Sequence, residues 1–76
     1  MANRTTKNIN IRETNVGFVV YNNAKVVNVF GDIVSAKAFA IALAMLENKG
    51  VRIETDFFTE IIKATSVATK ESQIYR

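Results

Sequence analysis

The chain contains no cysteine, no histidine, no proline and no tryptophan, and only three glycines. Without cysteine there is no disulfide and no thiolate metal site. Without histidine, the side chain that most often moves protons near neutral pH is missing. Ser35, Ser66 and Ser72 have no base that the sequence places beside them. Gly17, Gly31 and Gly50 stand far apart, so there is no glycine-rich loop to cradle a phosphate. These absences point away from an enzyme, and no cofactor or metal is expected.

Long apolar runs are also lacking. The longest, Ala38 to Leu46, is far short of the ~20 residues that a bilayer crossing needs. Residues 1–15 are polar and do not resemble a secretory signal. A cytoplasmic protein that does not enter a membrane is expected. Eight Asn together with the missing residue types suit an AT-rich genome such as that of a phage.

What is present is apolar and compact in character. Nine Val and nine Ala contribute to a 49% apolar content, which is that of a folded domain. At 76 residues there is room for one domain. A domain of this size buries roughly 60% of its unfolded surface and is marginal alone, which favours oligomerisation.

The net charge of +3 is unevenly placed. Arg4, Lys7 and Arg12 lie in residues 1–12, which hold no acid, while residues 13–76 hold seven bases and seven acids. Residues 1–7 read as a flexible basic arm ahead of a single α+β domain over 8–76. Such an arm is solvated or touches phosphates.

Alternation marks the strands. Ile9 and Ile11 alternate with Asn8, Asn10 and Arg12. Val16–Tyr21 and Lys25–Phe30 flank Asn22-Asn23, a candidate two-residue hairpin turn, since Asn tolerates positive φ. In that register Phe18 opposes Val27 and Val16 opposes Val29. Val51–Glu54 reads as a short fourth strand or an extended link.

The most informative stretch is Ala36–Leu46. Ala, Leu and Met favour helix. Asp32 or Ser35 supplies a cap, and Gly50 suits the left-handed end. Phe39, Ala42, Leu43 and Leu46 form one apolar stripe, expected to face the sheet. Ala38, Ile41 and Met45 form a second, and Ala36, Ala40 and Ala44 a third made only of methyl groups. A surface helix shows a polar face in every turn, and this one does not. Ala36, Ala40, Ala44, Ile41 and Met45 are therefore the expected oligomer interface. A second, amphipathic helix is expected from Thr55 or Asp56, with Phe57, Phe58, Ile61, Ile62, Ala64 (or Thr65) and Ala68 on one wide stripe and Glu60, Lys63 and Lys70 elsewhere. The expected fold is thus an antiparallel three- or four-stranded sheet, made from an N-terminal strand and a hairpin, packed with two helices.

Glu54, Asp56 and Glu60 are the best acidic cluster for a hard cation, but acids at a helix start also offset the dipole. Lys37 is a candidate functional amine, though a first-turn lysine ordinarily snorkels to water. Arg4, Lys7 and Arg12, with Tyr21 and Lys25, are the candidate nucleic-acid contacts: cations for phosphates and a ring for stacking. The body of the chain has no second basic patch, as dedicated nucleic-acid binders do. The expected function is that of a small homo-oligomeric binding protein, an inhibitor, adaptor or regulatory factor, that acts on another protein. Nucleic-acid binding through the arm is the alternative, and an oligomer whose interface pocket holds a small molecule is a third class.

Overall fold

The structure is a computed structural model that describes residues 7–64, 66 and 67. Five strands and one helix follow in the order β1 (Asn8–Thr14), β2 (Gly17–Asn22), β3 (Lys25–Phe30), α1 (Ile33–Glu47), β4 (Gly50–Glu54) and β5 (Thr59–Ile62). They form a mixed five-stranded sheet, β3-β2-β1-β4-β5, with α1 lying on one face. The class is α+β, as the alternation implied. The sheet is broader than expected and not purely antiparallel, because β4 pairs in parallel with β1. The link from β3 through α1 to β4 carries the chain back across the sheet, and that crossover is what makes a parallel pair reachable.

The expected second helix is not formed over 55–62. Thr55 was a plausible helix cap, but its hydroxyl serves a turn. It accepts from the amides of Phe57 and Phe58, at 3.1 Å each, while Thr55 N–H donates to the Phe58 carbonyl at 2.9 Å. Side chains of this type cap helices and close turns by the same bond. Thr59, Ile61 and Ile62 are β-branched and extend as β5, antiparallel to β4. Further on, Val67 N–H donates to the Lys63 carbonyl (3.0 Å), closing a helical turn that buries Val67 in the core. Thr65, Ala68 and Lys70 lie outside the described residues.

The hairpin turn falls one residue later than expected, at Asn23 and Ala24, both with positive φ (55° and 67°). Phe18 pairs with Phe30 and Val19 with Val29, across a bulge between Val20 and Tyr21. The predicted pairings of Phe18 with Val27 and Val16 with Val29 therefore do not form, and Val16 sits exposed in the β1–β2 turn. A reason lies at the tip. Lys49 Nζ donates to Asn22 Oδ1 (2.8 Å) and Asn23 Oδ1 (3.1 Å) and stands 3.2 Å from Glu47. Asn22 Nδ2 donates to Glu47 at 2.9 Å. Asn22 is held as a strand end by this knot, not released into the turn.

The helix is capped by Asp32, whose carboxylate accepts from Ser35 N–H at 2.9 Å. Asn48, not Gly50, takes the left-handed position at its end (φ 59°, ψ 46°). Gly50 has a different task. A Cβ there would collide with the Ile62 carbonyl and Asn8 Oδ1, so glycine lets β4 start close to its neighbours.

The helix faces are reversed relative to expectation. Ala36, Ala40 and Ala44 have no exposed surface and lie in the core with Ile9, Ile11, Val20, Val51, Ile53 and Ile62. The methyl seam expected between subunits is thus packed inside one chain. Small side chains let the helix axis approach the sheet closely, and the larger Phe39, Leu43, Ile41 and Met45 are left partly buried on its flanks. Phe39 meets Phe30 with ring centroids 5.4 Å apart.

Candidate functional site

Successive residues of a strand point to opposite faces, so one face of the sheet takes Ile9, Ile11, Val20, Val51 and Ile53 under the helix. The residues between them build the other face. Cross-strand pairing aligns them in two rows. The first runs Val26, Tyr21, Asn10, Arg52, Ile61 across all five strands. The second runs Val29, Val19, Arg12, Glu54, Thr59. No described helix covers this face.

The rows grade from apolar at β3 to charged at β1 and β4. Between them lies a shallow depression of about 310 Å³, lined by Asn10, Arg12, Tyr21, Ala24, Arg52 and Glu54. Glu54 Oε1 is 3.2 Å from Arg12 Nη2 and 3.9 Å from Arg52 Nη1. One carboxylate thus faces two guanidiniums, and a net positive charge remains. The three side chains are all partly exposed, so these pairs contribute about 0–1 kcal/mol each. Their use is in recognition. Arginine forks and a tyrosine ring fit carboxylates, backbone amides and flat apolar groups.

Of the residues expected to contact nucleic acid, Arg12 and Tyr21 come together on this face. Lys7 and Lys25 are exposed at the end of the sheet where β1 and β3 begin, and Arg4 lies outside the described residues. Arg52 was missed. Its signal was the alternation of Val51, Arg52, Ile53 and Glu54, which matches Asn8–Arg12 once the two strands lie in parallel register.

The acidic trio does not converge. Glu54 belongs to the open face, Glu60 lies 3.8 Å from Lys37 Nζ, and Asp56 sits in the β4–β5 loop. Among the described residues no group of three acids is placed to hold a metal ion. Lys37 is half-exposed beside Glu60 and is not a desolvated amine.

Two carboxyl groups are shifted. Asp32 is held below its ordinary value by the Ser35 amide and hydroxyl. Glu47 is lowered first by the Asn22 side-chain amide and then by Lys49. Both belong to structural knots away from the open face.

A second exposed apolar region lies where β1 and β4 end and α1 begins. Phe57 (90% exposed) and Phe58 stand there at a hollow of about 200 Å³ lined also by Glu13, Phe18, Ile33 and Thr55. No described helix is long and apolar enough to cross a membrane. Compared with family models, curated proteins and solved structures, the chain matches none.

Proposed function

We propose that this chain is a non-enzymatic binding protein, homo-oligomeric, that presents the open face of its sheet to another protein as an inhibitor, adaptor or regulatory factor. The observation that carries the reading is a five-stranded sheet that, among the described residues, has a helix on one face only. The bare face mixes Tyr21, Val26, Val29 and Ile61 with Arg12 and Arg52. Tyrosine and arginine are the residue types enriched where proteins meet, and apolar patches of this kind mark interaction sites.

A nucleic-acid partner is the second reading, favoured by one observation: Tyr21, Asn10 and Arg52 stand side by side in one row, next to Arg12. One ring could stack on a base while the arginines hold phosphates. Against it, Glu54 lies between the two arginines, and among the described residues the face offers a single aromatic ring.

Native mass by light scattering, with and without a single-stranded oligonucleotide and at low and high salt, separates the two. The expected result is an oligomer whose mass the oligonucleotide does not change. A complex that forms at low salt, disperses at high salt and is lost in Arg12→Ala/Arg52→Ala would establish the nucleic-acid reading instead. For the protein reading, a photo-reactive side chain at position 21 should cross-link to a partner in cells, and one at position 63 should not.

A further inference from the structure

We infer that a second copy of this chain packs on the outer face of α1, helix against helix, about an antiparallel two-fold axis. The inference rests on the proposed homo-oligomeric reading and names its interface. With Ala36, Ala40 and Ala44 turned into the core, the opposite side of the helix carries Val34, Ser35, Ala38, Ala42 and Leu46. None of these is charged. Leu46 is 84% exposed and Val34 73%. A helix facing only water would carry charge there.

The pattern also says what covers it. Val34, Ala38, Ala42 and Leu46 are four residues apart, so they form one ridge of the helix surface, large at each end and small in the middle. Ridges of this spacing interdigitate when two helices cross at about −50°. The ridge reads nearly the same in both directions. Turned about a two-fold axis between Ala38 and Ala42, it sets each Ala38 against the partner's Ala42 and each Val34 against the partner's Leu46. The alanines permit an axis separation near 8 Å. Every contact is made twice, as a two-fold interface requires. Antiparallel helices also set opposite dipole ends side by side. The open faces of the two sheets then look outward, on opposite sides of the dimer.

Ala42→Glu and Leu46→Glu test this without touching the core, because both positions are exposed and glutamate suits a helix. Sedimentation at about 100 μM, well above a micromolar dissociation constant, should show a dimer for the natural chain. Each variant should run as a monomer, its dimer weakened at least about 100-fold, with unchanged circular dichroism. Val29→Lys, on the far face at the sheet edge, should stay dimeric. A dimer that survives Ala42→Glu but is split by Val29→Lys would overturn the helix interface and leave self-association standing through the edge strand. A natural chain that is monomeric would overturn both. Should a glutamate variant lose its fold, Ala42→Ser with Leu46→Ser supplies the milder break, and an undiminished dimer there would also sink the inference.

Discussion

The two faces of the sheet are built from the same strands and have opposite fates. On β1, Ile9 and Ile11 are buried while Asn10 and Arg12 look outward; on β4, Val51 and Ile53 are buried while Arg52 and Glu54 look outward. These two strands are sorted cleanly. On β2 and β3 the sorting is incomplete: Val19 and Val20 are both buried although they point to opposite faces, and Val26, Val27 and Val29 are all exposed. The difference teaches that the centre of the sheet is specified by its core alone, whereas the hairpin carries more apolar surface than one helix can cover.

The largest effect that tests this contrast comes from neighbouring residues on one strand. Ile11→Ala and Ile53→Ala should each cost about 2–5 kcal/mol in urea unfolding, because each removes a fully buried side chain. Arg12→Ala and Arg52→Ala, one residue away, should cost no more than about 1 kcal/mol, since exposed ion pairs contribute little. Equal losses on the two faces would mean that the outward face is covered in the folded chain.

The helix offers a second pair. Ala40→Leu should lose about 1–3 kcal/mol by forcing the helix off the sheet. Ala42→Leu, on the outer side, should stay within about 0.5 kcal/mol in the stability of the monomer, measured at a concentration below that at which the chain associates. If both are tolerated, the close approach of helix and sheet does not depend on the alanines.

These pairs also show what could be read beforehand. The strands of the first half, the helix with its Asp32 cap, and the residues of β4 were legible, since each has its own local period or cap. The alanine stripe was recognised and assigned to the wrong neighbour. Periodicity gives the faces of a helix but not the depth of the groove that receives it, and a broad twisted sheet takes a smooth face better than a bulky one. The β5 segment was misread because Phe57, Phe58, Ile61 and Ile62 satisfy a helical stripe as well as a strand. Only the open edge of β4, a tertiary fact, decides between them. Arg52 joined the candidate site for the same reason: it stands next to Asn10 through the parallel pairing, across a crossover that no local pattern encodes.

A smaller effect concerns the hairpin that overfills its side of the sheet. Lys49 is buried and ties the tip to the end of α1. Lys49→Met should cost about 1–3 kcal/mol by leaving Asn22, Asn23 and Glu47 without their shared donor. Amide exchange should rise in β2 and β3 more than in β4. Uniform exchange changes would show that the tip is not held by this knot.

The smallest expected effect is on pH. Both Asp32 and Glu47 are lowered in the folded chain, so folding favours their ionised forms. Their contribution is complete above the unfolded carboxylate values, near pH 4, and fades as pH falls through the lowered ones. Melting temperature should hold steady from about pH 7 to pH 5 and drop in more acidic buffer. Asp32→Asn with Glu47→Gln should flatten part of that acid limb. A limb unchanged by the pair would assign acid sensitivity to the other carboxylates.

Strand β1 is made first and sits in the middle, and this sets an order of events during synthesis. As the chain leaves the ribosome, β1, β2 and β3 can pair as a meander, but one side of β1 stays bare until residues 50–54 emerge. During that interval the backbone beside Ile9 and Ile11 is a template for any extended chain nearby. In the folded chain the helix lies over the isoleucine side chains, so what a missing β4 would leave bare is the backbone edge beside them. A chain cut short between Glu47 and Glu54 would therefore keep that edge bare and be at its most adhesive, and a strand of β4 sequence supplied in trans would compete for the vacancy.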